Sequence, residues 1–456
     1  MLSHFAFTAI AFVVALGILI TIHEFGHFWV ARRMGVRVLR FSIGFGPALW
    51  RRVGKDGTEY VLAAIPLGGY VKMLDEREAP VDEADLGDAF NRKPLSARAA
   101  IVAAGPMANF LLAIAAYWLV GLIGTTGIAP LVGEPQPGTP AAAAGFVNED
   151  RITSVNGKAV ATWTDARIAI LDAAMQNDAG SMRIGVETAQ GAVVERHLDI
   201  DPALVLKVRG DPLAGIGFDA WRPHQPPVFG EVLDDGAAAR AGIVEGDRVM
   251  AIDGEPIGSF GEVVERVVPA AGQTLAMTLE RDGQEIIVDV TPEAVTVNGE
   301  SRGRIGVIET HSAAAWEKAR VTVRYGVLDS LGQAVVRTWE MTALTVRMLA
   351  KLVTGQAAIE NLSGPLTIAQ VAGQTAAVGI DHYIGFIALI SISLAVLNLL
   401  PIPILDGGHL VYFALEAITG RPPSERVQMI GQQLGMLLLG ALMMLAFYND
   451  IGRLLQ

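Results

Sequence analysis

Four long apolar stretches dominate the pattern of hydrophobic and polar positions along this chain. The first covers residues 5–22 without a single charge, and the second covers residues 99–124. The third begins at Ile384, and the fourth covers residues 431–447 with room to begin at Val427. Because a helix needs about 20 apolar residues to cross about 30 Å of hydrocarbon, this pattern predicts four transmembrane helices.

Basic residues predict which loops lie in the cytoplasm. A cluster without any acidic residue follows the first stretch: Arg32, Arg33, Arg37, Arg40, Arg51, Arg52 and Lys55. Loops rich in Lys and Arg stay on the cytoplasmic side, so this loop is expected there. The acid-rich stretch 126–383 and both termini are then expected outside.

The insert contains an internal repeat, at residues 137–157 and 235–254. Both copies share alanines, a glycine, an Asp-Arg pair and a closing Asn-Gly or Asp-Gly, a pattern typical of PDZ domains. It predicts PDZ-like α+β domains at 127–220 and 221–310. The glycine-containing runs 215–218 and 304–307 are either loops that bind peptide chain ends or ordinary strand ends.

Composition excludes several classes of function. The net charge of −12 argues against a nucleic-acid partner, and the lack of cysteine excludes thiolate chemistry and Cys-type zinc sites. The first stretch has no basic segment before it and no small-residue cleavage site after it, so it is expected to be a retained helix. Membrane segments at 1–125 and 384–456 then flank the two domains, with a helical linker at 311–383.

Residues 23–27 read His-Glu-Phe-Gly-His, the pattern H-E-x-x-H. Histidines four residues apart lie on one face of a helix, so His23 and His27 can bind one metal ion. Glu24 then faces water at that metal as a candidate general base. An ionisable group at the centre of a membrane costs about 2.5–3.5 kcal/mol on insertion scales, which favours a functional role.

A third ligand is expected from the third apolar stretch, which ends in N-L-L-P-I-P-I-L-D-G-G from Asn398 to Gly408. Two prolines and a glycine pair break a helix, and Asp406 follows that break. Two histidines, one aspartate and water complete a tetrahedral Zn²⁺ site with an open position. In the alternatives, Asp406 only caps the next helix, or His409 replaces it as the ligand.

The two motifs together resemble the site-two protease family of intramembrane zinc metalloproteases, within it the bacterial branch that regulates sigma-E. The resemblance covers nearly the whole chain and implies a protein of the bacterial inner membrane with a periplasmic insert. It implies His23, His27 and Asp406 as zinc ligands and Glu24 as the catalytic acid and base. It also implies that Asn398, Pro401 and Pro403 contact substrate. Asn109, in the run Gly-Pro-Met-Ala-Asn-Phe, is expected to contact substrate too, unless that run is only a packing segment.

The basic loop contains two extended stretches around a turn at residues 54–57. It resembles the family's membrane re-entrant β-hairpin, although an ordinary cytoplasmic hairpin is the alternative. A sheet edge can bind an unwound substrate as an added strand, so residues 60–72, and Tyr70 among them, are expected to contact substrate.

The expected function is zinc-dependent cleavage of single-pass membrane proteins near the cytoplasmic side of the bilayer. The resemblance suggests an anti-sigma factor as substrate, with the PDZ pair excluding substrates that keep a bulky outer domain. A metal transporter is one alternative, since intramembrane His and Asp also mark ion pathways. A non-catalytic PDZ scaffold is the other, and Glu24 counts against both.

Overall fold

The computed structural model describes residues 2–176, 180–206, 213–223, 226–297, 300–309, 316–358, 362 and 364–454. The chain divides into two compact units. One comprises residues 1–125 and 322–451, and the other comprises residues 126–321 and 452–456. The predicted linker 311–383 lies partly outside the described residues, at 311–315, 359–361 and 363.

Long helices form most of the first unit. They are α1 (Leu2–Arg33), α2 (Leu95–Ile123), α3 (Val327–Val353), α4 (Pro365–Val378), α5 (Ile380–Asn398), α6 (Asp406–Thr419) and α7 (Glu425–Leu454). Among the described residues, α1, α2, α5 and α7 are the helices long and apolar enough to cross a membrane. They coincide with the four apolar stretches, and each is long enough for about 30 Å of hydrocarbon.

Small residues bring the helices of this unit close together. A Cβ on Gly26 of α1 would lie 2.3 Å from the carbonyl oxygen of Ala104 in α2, so only glycine fits there. Gly373 of α4 similarly approaches Thr8 of α1. Where lipid and side chains are equally apolar, such close backbone contact is a main source of helix association. The α1–α2 contact therefore fixes the segment that carries the two histidines.

Asp450 connects the end of α7 to the start of α4. It is 1% exposed, and its carboxylate accepts hydrogen bonds from the backbone N–H groups of Gly364 at 3.0 Å and Leu366 at 2.8 Å. The Thr367 N–H, at 3.2 Å, also donates to it. These are N–H groups that the first turn of a helix leaves unpaired, so the buried charge stabilises the N-terminus of α4.

The basic loop after α1 folds into a sheet rather than a simple hairpin. Strands β1 (Val38–Val53) and β2 (Glu59–Met73) are joined by the turn at 54–57, as expected. Both strands bend, and the register pairs Phe41 with Val71 on one side and with Tyr60 on the other. Segments 69–73, 38–43, 59–63 and 48–53 therefore lie side by side in that order.

Glycines in the left-handed region make these bends. Gly44 has φ +91° and Gly68 has φ +152°, conformations that other residues rarely adopt. The pairing of Phe41 with Tyr60 and Ser42 with Val61 runs in the same direction along both segments. Val61 consequently lies inside the sheet, and segments 69–73 and 48–53 form its two edges.

The second unit contains two four-stranded antiparallel sheets with the same strand order. The strands of the first, in spatial order, are Lys158–Ala159, Arg151–Val155, Ser181–Glu187 and Val193–Asp199. Those of the second are Glu255–Pro256, Arg248–Ile252, Leu275–Arg281 and Gln284–Val290. Each sheet packs against a helix, Trp163–Gln176 or Phe260–Val267, and each has its own apolar core.

Shorter elements complete this part of the chain. They are the helices Pro140–Ala143, Ala203–Leu206 and Ala237–Arg240, and the strands Thr125–Ile128, Phe229–Val232, Glu293–Val297, Glu300–Arg304, Val307–Glu309 and Arg320–Val323. Phe229–Val232 pairs with Val307–Glu309, and Glu293–Val297 pairs with Glu300–Arg304. Thr125–Ile128 and Arg320–Val323 lie where the chain enters and leaves the insert.

A buried ion pair recurs in the two sheets. Asp150 is fully buried and lies 2.9 Å from the guanidinium of Arg196. Asp247 is also fully buried, and Arg281 donates two hydrogen bonds of 2.7 Å to it. Each aspartate also accepts a hydrogen bond from the backbone N–H of the residue three positions before it. The Asp of the repeated Asp-Arg motif thus anchors the turn before a strand, because a buried carboxylate needs such partners.

Candidate active site

Helix α1 brings His23 and His27 onto one face. Their Nε2 atoms lie 3.2 Å apart, and each residue is 9% exposed. Successive turns of an α-helix place residues i and i+4 next to each other, which is the reason for this approach. The two ring nitrogens therefore point at a common position beside the helix.

Asp406 reaches that position from the other end of the chain. Helix α5 ends at Asn398, residues 399–405 form a loop, and Asp406 is the first residue of α6. Its Oδ2 atom lies 3.3 Å from Nε2 of His23 and 3.5 Å from Nε2 of His27. The N-cap position of α6 is the preceding residue, Leu405.

Glycine is required immediately after Asp406. A Cβ on Gly407 would lie 2.3 Å from the carbonyl oxygens of Leu399 and Leu400, and one on Gly408 would lie 2.3 Å from that of Ile402. Any larger residue would push the loop away from the start of α6. The sequence after the prolines therefore serves to fold the loop back and hold Asp406 beside α1.

The three donor atoms fit a zinc ion. Ligands about 2.0–2.1 Å from a tetrahedral zinc stand about 3.3–3.4 Å from one another, and the observed separations are 3.2, 3.3 and 3.5 Å. Oδ2 of Asp406 is buried and has no hydrogen-bond partner, as expected of a ligand atom. Among the described residues, this group of candidate ligands contains Asp406 and not His409.

Helix α2 contacts the Nδ1 atoms of both histidines. The Nδ1 atom of His27 lies 2.8 Å from the carbonyl oxygen of Ile101, to which its N–H donates. Nδ1 of His23 lies 3.2 Å from Nδ2 of Asn109. A Cβ on Gly105 would come within 2.2 Å of Nε2 of His27, so glycine leaves room for the ring. Such partners orient the ligands of a metal.

Sequence reasoning missed the roles of Ile101 and Gly105. A backbone carbonyl carries no residue-specific signal, so nothing in the sequence marks Ile101. Gly105 belongs to the Gly-Pro-Met-Ala-Asn-Phe run that the sequence did single out, and its close approach to His27 gives that run a physical function.

Glu24 lies between the histidines and the edge of the sheet. Its carboxylate accepts a hydrogen bond from the backbone N–H of Val71. A Cβ on Gly69 would lie 3.0 Å from Cγ of Glu24, so the segment 69–73 runs directly beside this side chain. The sheet edge at 69–73 and the candidate acid/base group Glu24 therefore lie side by side.

The remaining residues expected to contact substrate have different surroundings. Asn109 is fully buried, and Nδ2 of its amide lies 3.2 Å from Nδ1 of His23. The Asn398 amide donates to the Leu394 carbonyl oxygen of its own helix, at 3.0 Å. The Tyr70 hydroxyl accepts a hydrogen bond from Arg40 at 3.1 Å. Pro401 is exposed on the loop before Asp406, while Pro403 is half-buried near Gly431 of α7.

Known proteins match almost the entire chain. The model of peptidase family M50 matches residues 11–442. The regulator of sigma-E protease of Salmonella typhi is 44% identical over 447 residues, 97% of this chain and 98% of that protein. The regulator of sigma-E protease RseP of Escherichia coli K12 is 44% identical over 452 residues, with the same coverage.

Two further comparisons concern another bacterial relative and a solved domain structure. A Neisseria meningitidis protein, whose name describes a zinc metalloprotease, is 42% identical over 98% of this chain and 99% of its own length. A solved PDZ domain of the SdrC-like protein from Listeria innocua is 20% identical, covers 20% of this chain and 97% of that domain, and has a TM-score of 0.17. So slight a likeness carries no argument about the fold.

The family match and the relatives confirm the expected resemblance and favour neither a transporter nor a scaffold. Together with the four membrane-length helices and the converging His, His and Asp side chains, they identify an intramembrane zinc metalloprotease. The chain belongs to peptidase family M50, the site-two proteases.

Proposed function

We propose that this protease cleaves single-pass membrane proteins within or at the edge of the bilayer, with His23, His27 and Asp406 as zinc ligands and Glu24 as general base and acid. One observation carries the proposal. Three donor atoms at zinc-compatible spacing converge beside Glu24. Helix α1, which supplies both histidines, and helix α5, which leads into the loop before Asp406, are long and apolar enough to cross a membrane.

Zinc bound there would polarise the scissile carbonyl and make water more acidic. The Glu24 carboxylate then accepts a proton from that water and returns it to the nitrogen of the leaving amine. Val71 N–H holds this carboxylate in place. The His27 ring is fixed by the Ile101 carbonyl, so its Nε2 stays directed at Asp406 and His23.

Substrate would bind along the sheet edge at 69–73. The N–H groups of successive strand residues point to opposite sides of the strand, and the Val71 N–H points to Glu24. The N–H groups of Gly69 and Met73 therefore point to that same side. A substrate helix must unwind before its peptide bond is accessible, and an unwound segment can extend this edge as an added strand.

The same sheet is the proposed re-entrant element of the cytoplasmic loop. Its bends expose apolar side chains, among them Leu49 at 70% and Trp50 at 52%. Side chains of this kind are suited to the membrane interface. With basic residues concentrated in the same loop, this supports a position on the cytoplasmic side of the bacterial inner membrane and a periplasmic insert.

The insert is proposed to consist of PDZ-like domains at 127–220 and 221–310. Their shared strand order, separate cores and repeated buried Asp–Arg pairs support this division. We propose that they exclude membrane proteins whose outer domain is intact. Because the similar proteins are named regulators of sigma-E, the proposed substrate is an anti-sigma factor whose outer domain was already removed.

The test uses the purified full-length protein in detergent and a single-pass substrate with a trimmed outer domain. Cleavage is expected in or next to the substrate's membrane segment, and a zinc chelator is expected to stop it until zinc is restored. Cleavage that continues in zinc-depleted protein would contradict the proposal.

A further inference from the structure

Asn109 of α2 has an unusual position for an amide side chain. It is fully buried, and its Nδ2 atom lies 3.2 Å from Nδ1 of His23. Its Oδ1 atom is buried without a hydrogen-bond partner. Its backbone carbonyl accepts a hydrogen bond of 2.8 Å from the Ser391 hydroxyl of α5, which fixes this turn of α2.

The ligand geometry determines which ring nitrogen of His23 carries the proton. Nε2 faces Asp406 at 3.3 Å, so it is the atom available to a metal. A neutral imidazole that ligates through Nε2 carries its hydrogen on Nδ1, which then becomes a donor. An amide NH₂ is also a donor and cannot satisfy it. An amide oxygen in the same place would.

Rotating the Asn109 amide by half a turn exchanges its two terminal atoms. Oδ1 then accepts from Nδ1 of His23, and Nδ2 takes the buried position at which Oδ1 has no partner. We propose that Asn109 is a positioning residue of the zinc site, whose Oδ1 accepts the His23 Nδ1–H when zinc is bound and fixes the tautomer and orientation of the ring. This inference rests on the proposed zinc site.

The arrangement around His27 supports this assignment. There the Nδ1–H donates to the Ile101 carbonyl, about two turns before Asn109 on the same helix. Helix α2 thus offers an oxygen acceptor to each imidazole, one from its backbone and one from a side chain. Acceptors behind metal-bound histidines fix the tautomer and raise ligand basicity.

The test measures zinc affinity in the full-length protein by competition with a chelator, so that it does not depend on cleavage. Asn109→Leu keeps the side chain's approximate size and removes the acceptor, and it is expected to weaken zinc binding by about 10- to 100-fold. Asn109→Asp keeps an oxygen acceptor and is expected to bind zinc more tightly than Asn109→Leu.

A matched control makes the same Asn→Leu substitution at another buried asparagine. Asn449 of α7 is a buried asparagine whose amide donates to the Leu362 carbonyl. Asn449→Leu is therefore expected to leave zinc affinity unchanged. Thermal unfolding of the zinc-free forms shows whether any loss of affinity merely follows a loss of folding.

Two results would overturn the inference. One is Asn109→Leu that binds zinc as tightly as wild type. The other is Asn109→Asp that loses as much affinity as Asn109→Leu while both remain folded. If neither variant folds, zinc-loaded wild-type protein decides: a scalar coupling across the hydrogen bond, from ¹⁵Nδ1 of His23 to ¹³Cγ of Asn109, is expected, and its absence would also overturn the inference. Wild-type protein that binds no zinc would instead refute the proposed zinc site itself.

Discussion

His23 on the first helix and Asp406 at the start of α6 approach each other to 3.3 Å, although nearly the whole chain separates them in sequence. Two features bring them together. Gly26 lets α1 pack against α2, and Gly407 with Gly408 folds the loop after α5 back over the start of α6. A zinc ion held by both residues would therefore crosslink the N-terminal and C-terminal membrane segments.

The ligand set makes a direct prediction. His23→Ala, His27→Ala and Asp406→Ala each remove one of three protein ligands, so each purified variant should contain far less than one zinc per chain. His409→Ala should retain it, because His409 lies outside the ligand group. Metal analysis of the four proteins provides the measurement. Stoichiometric zinc in Asp406→Ala, together with its loss in His409→Ala, would reverse this assignment.

The proposed substrate edge is tested at Met73. Proline there removes an N–H that points outward and leaves the neighbouring residues of the ladder unchanged. Met73→Pro should therefore reduce cleavage by up to about tenfold, since one backbone hydrogen bond to substrate is lost. Met73→Ala keeps the N–H and should cleave nearly normally.

Both Met73 variants should keep full zinc content, as measured alongside cleavage rates. Val61 is unsuitable for this test, because it pairs with Ser42 and Arg51 inside the sheet and proline would disrupt the fold. Equal rates for the two Met73 variants would leave strand addition at this edge without support.

The insert is predicted to control which substrates are accepted. Replacing residues 127–310 with a short linker removes no proposed zinc ligand, so zinc content should be unchanged. Cleavage of a substrate with an intact outer domain should then approach that of the trimmed form. The measurement compares the two rates in the deleted and full-length proteins. A preference for trimmed substrates that survives the deletion would show that selection resides elsewhere.

Acid is predicted to weaken the second sheet of the insert. Burial raises the pKa of Asp247, but the hydrogen bonds from Arg281 and from the Val244 N–H lower it by more, so it lies below its ordinary value. A carboxyl with a depressed folded pKa stabilises the fold above its unfolded value of about 3.9. That contribution is lost as the pH falls through the folded value.

Hydrogen exchange in Arg248–Ile252 provides the measurement for Asp247. Protection should decline between about pH 5 and pH 2, and Asp247→Asn should flatten that decline while lowering protection at neutral pH. Asp289 is exposed on the strand Gln284–Val290 of the same sheet, and Asp289→Asn should keep the wild-type profile. An Asp247→Asn profile as steep as that of wild type would assign the acid sensitivity to other groups.

Local patterns were sufficient to predict the helices and the His-Glu-His cluster. The 3.6-residue period places His23 and His27 on one face without any tertiary information, and the proline and glycine pattern marks the break before Asp406. The sheet was harder, because the bends at Gly44 and Gly68 do not show that Phe41 pairs with Tyr60 as well as Val71.

The surroundings of Asn109 could not be read from the sequence either. Its position against His23 depends on how closely α1 and α2 approach, and that distance is set by contacts such as Gly26 with Ala104. The sequence marked Asn109 as functional, but only the packing shows that the side chain faces a histidine.

The central claim is that Glu24 transfers the proton at a zinc site formed by His23, His27 and Asp406, and Glu24→Gln tests it most directly. Glutamine has the same shape and keeps an oxygen that can accept the Val71 N–H, but it cannot take a proton from water. The measurement pairs zinc content with the rate of cleavage in purified protein. The account predicts about one zinc per chain and cleavage reduced by about 10²- to 10⁴-fold. Cleavage close to the wild-type rate in zinc-loaded Glu24→Gln would contradict it.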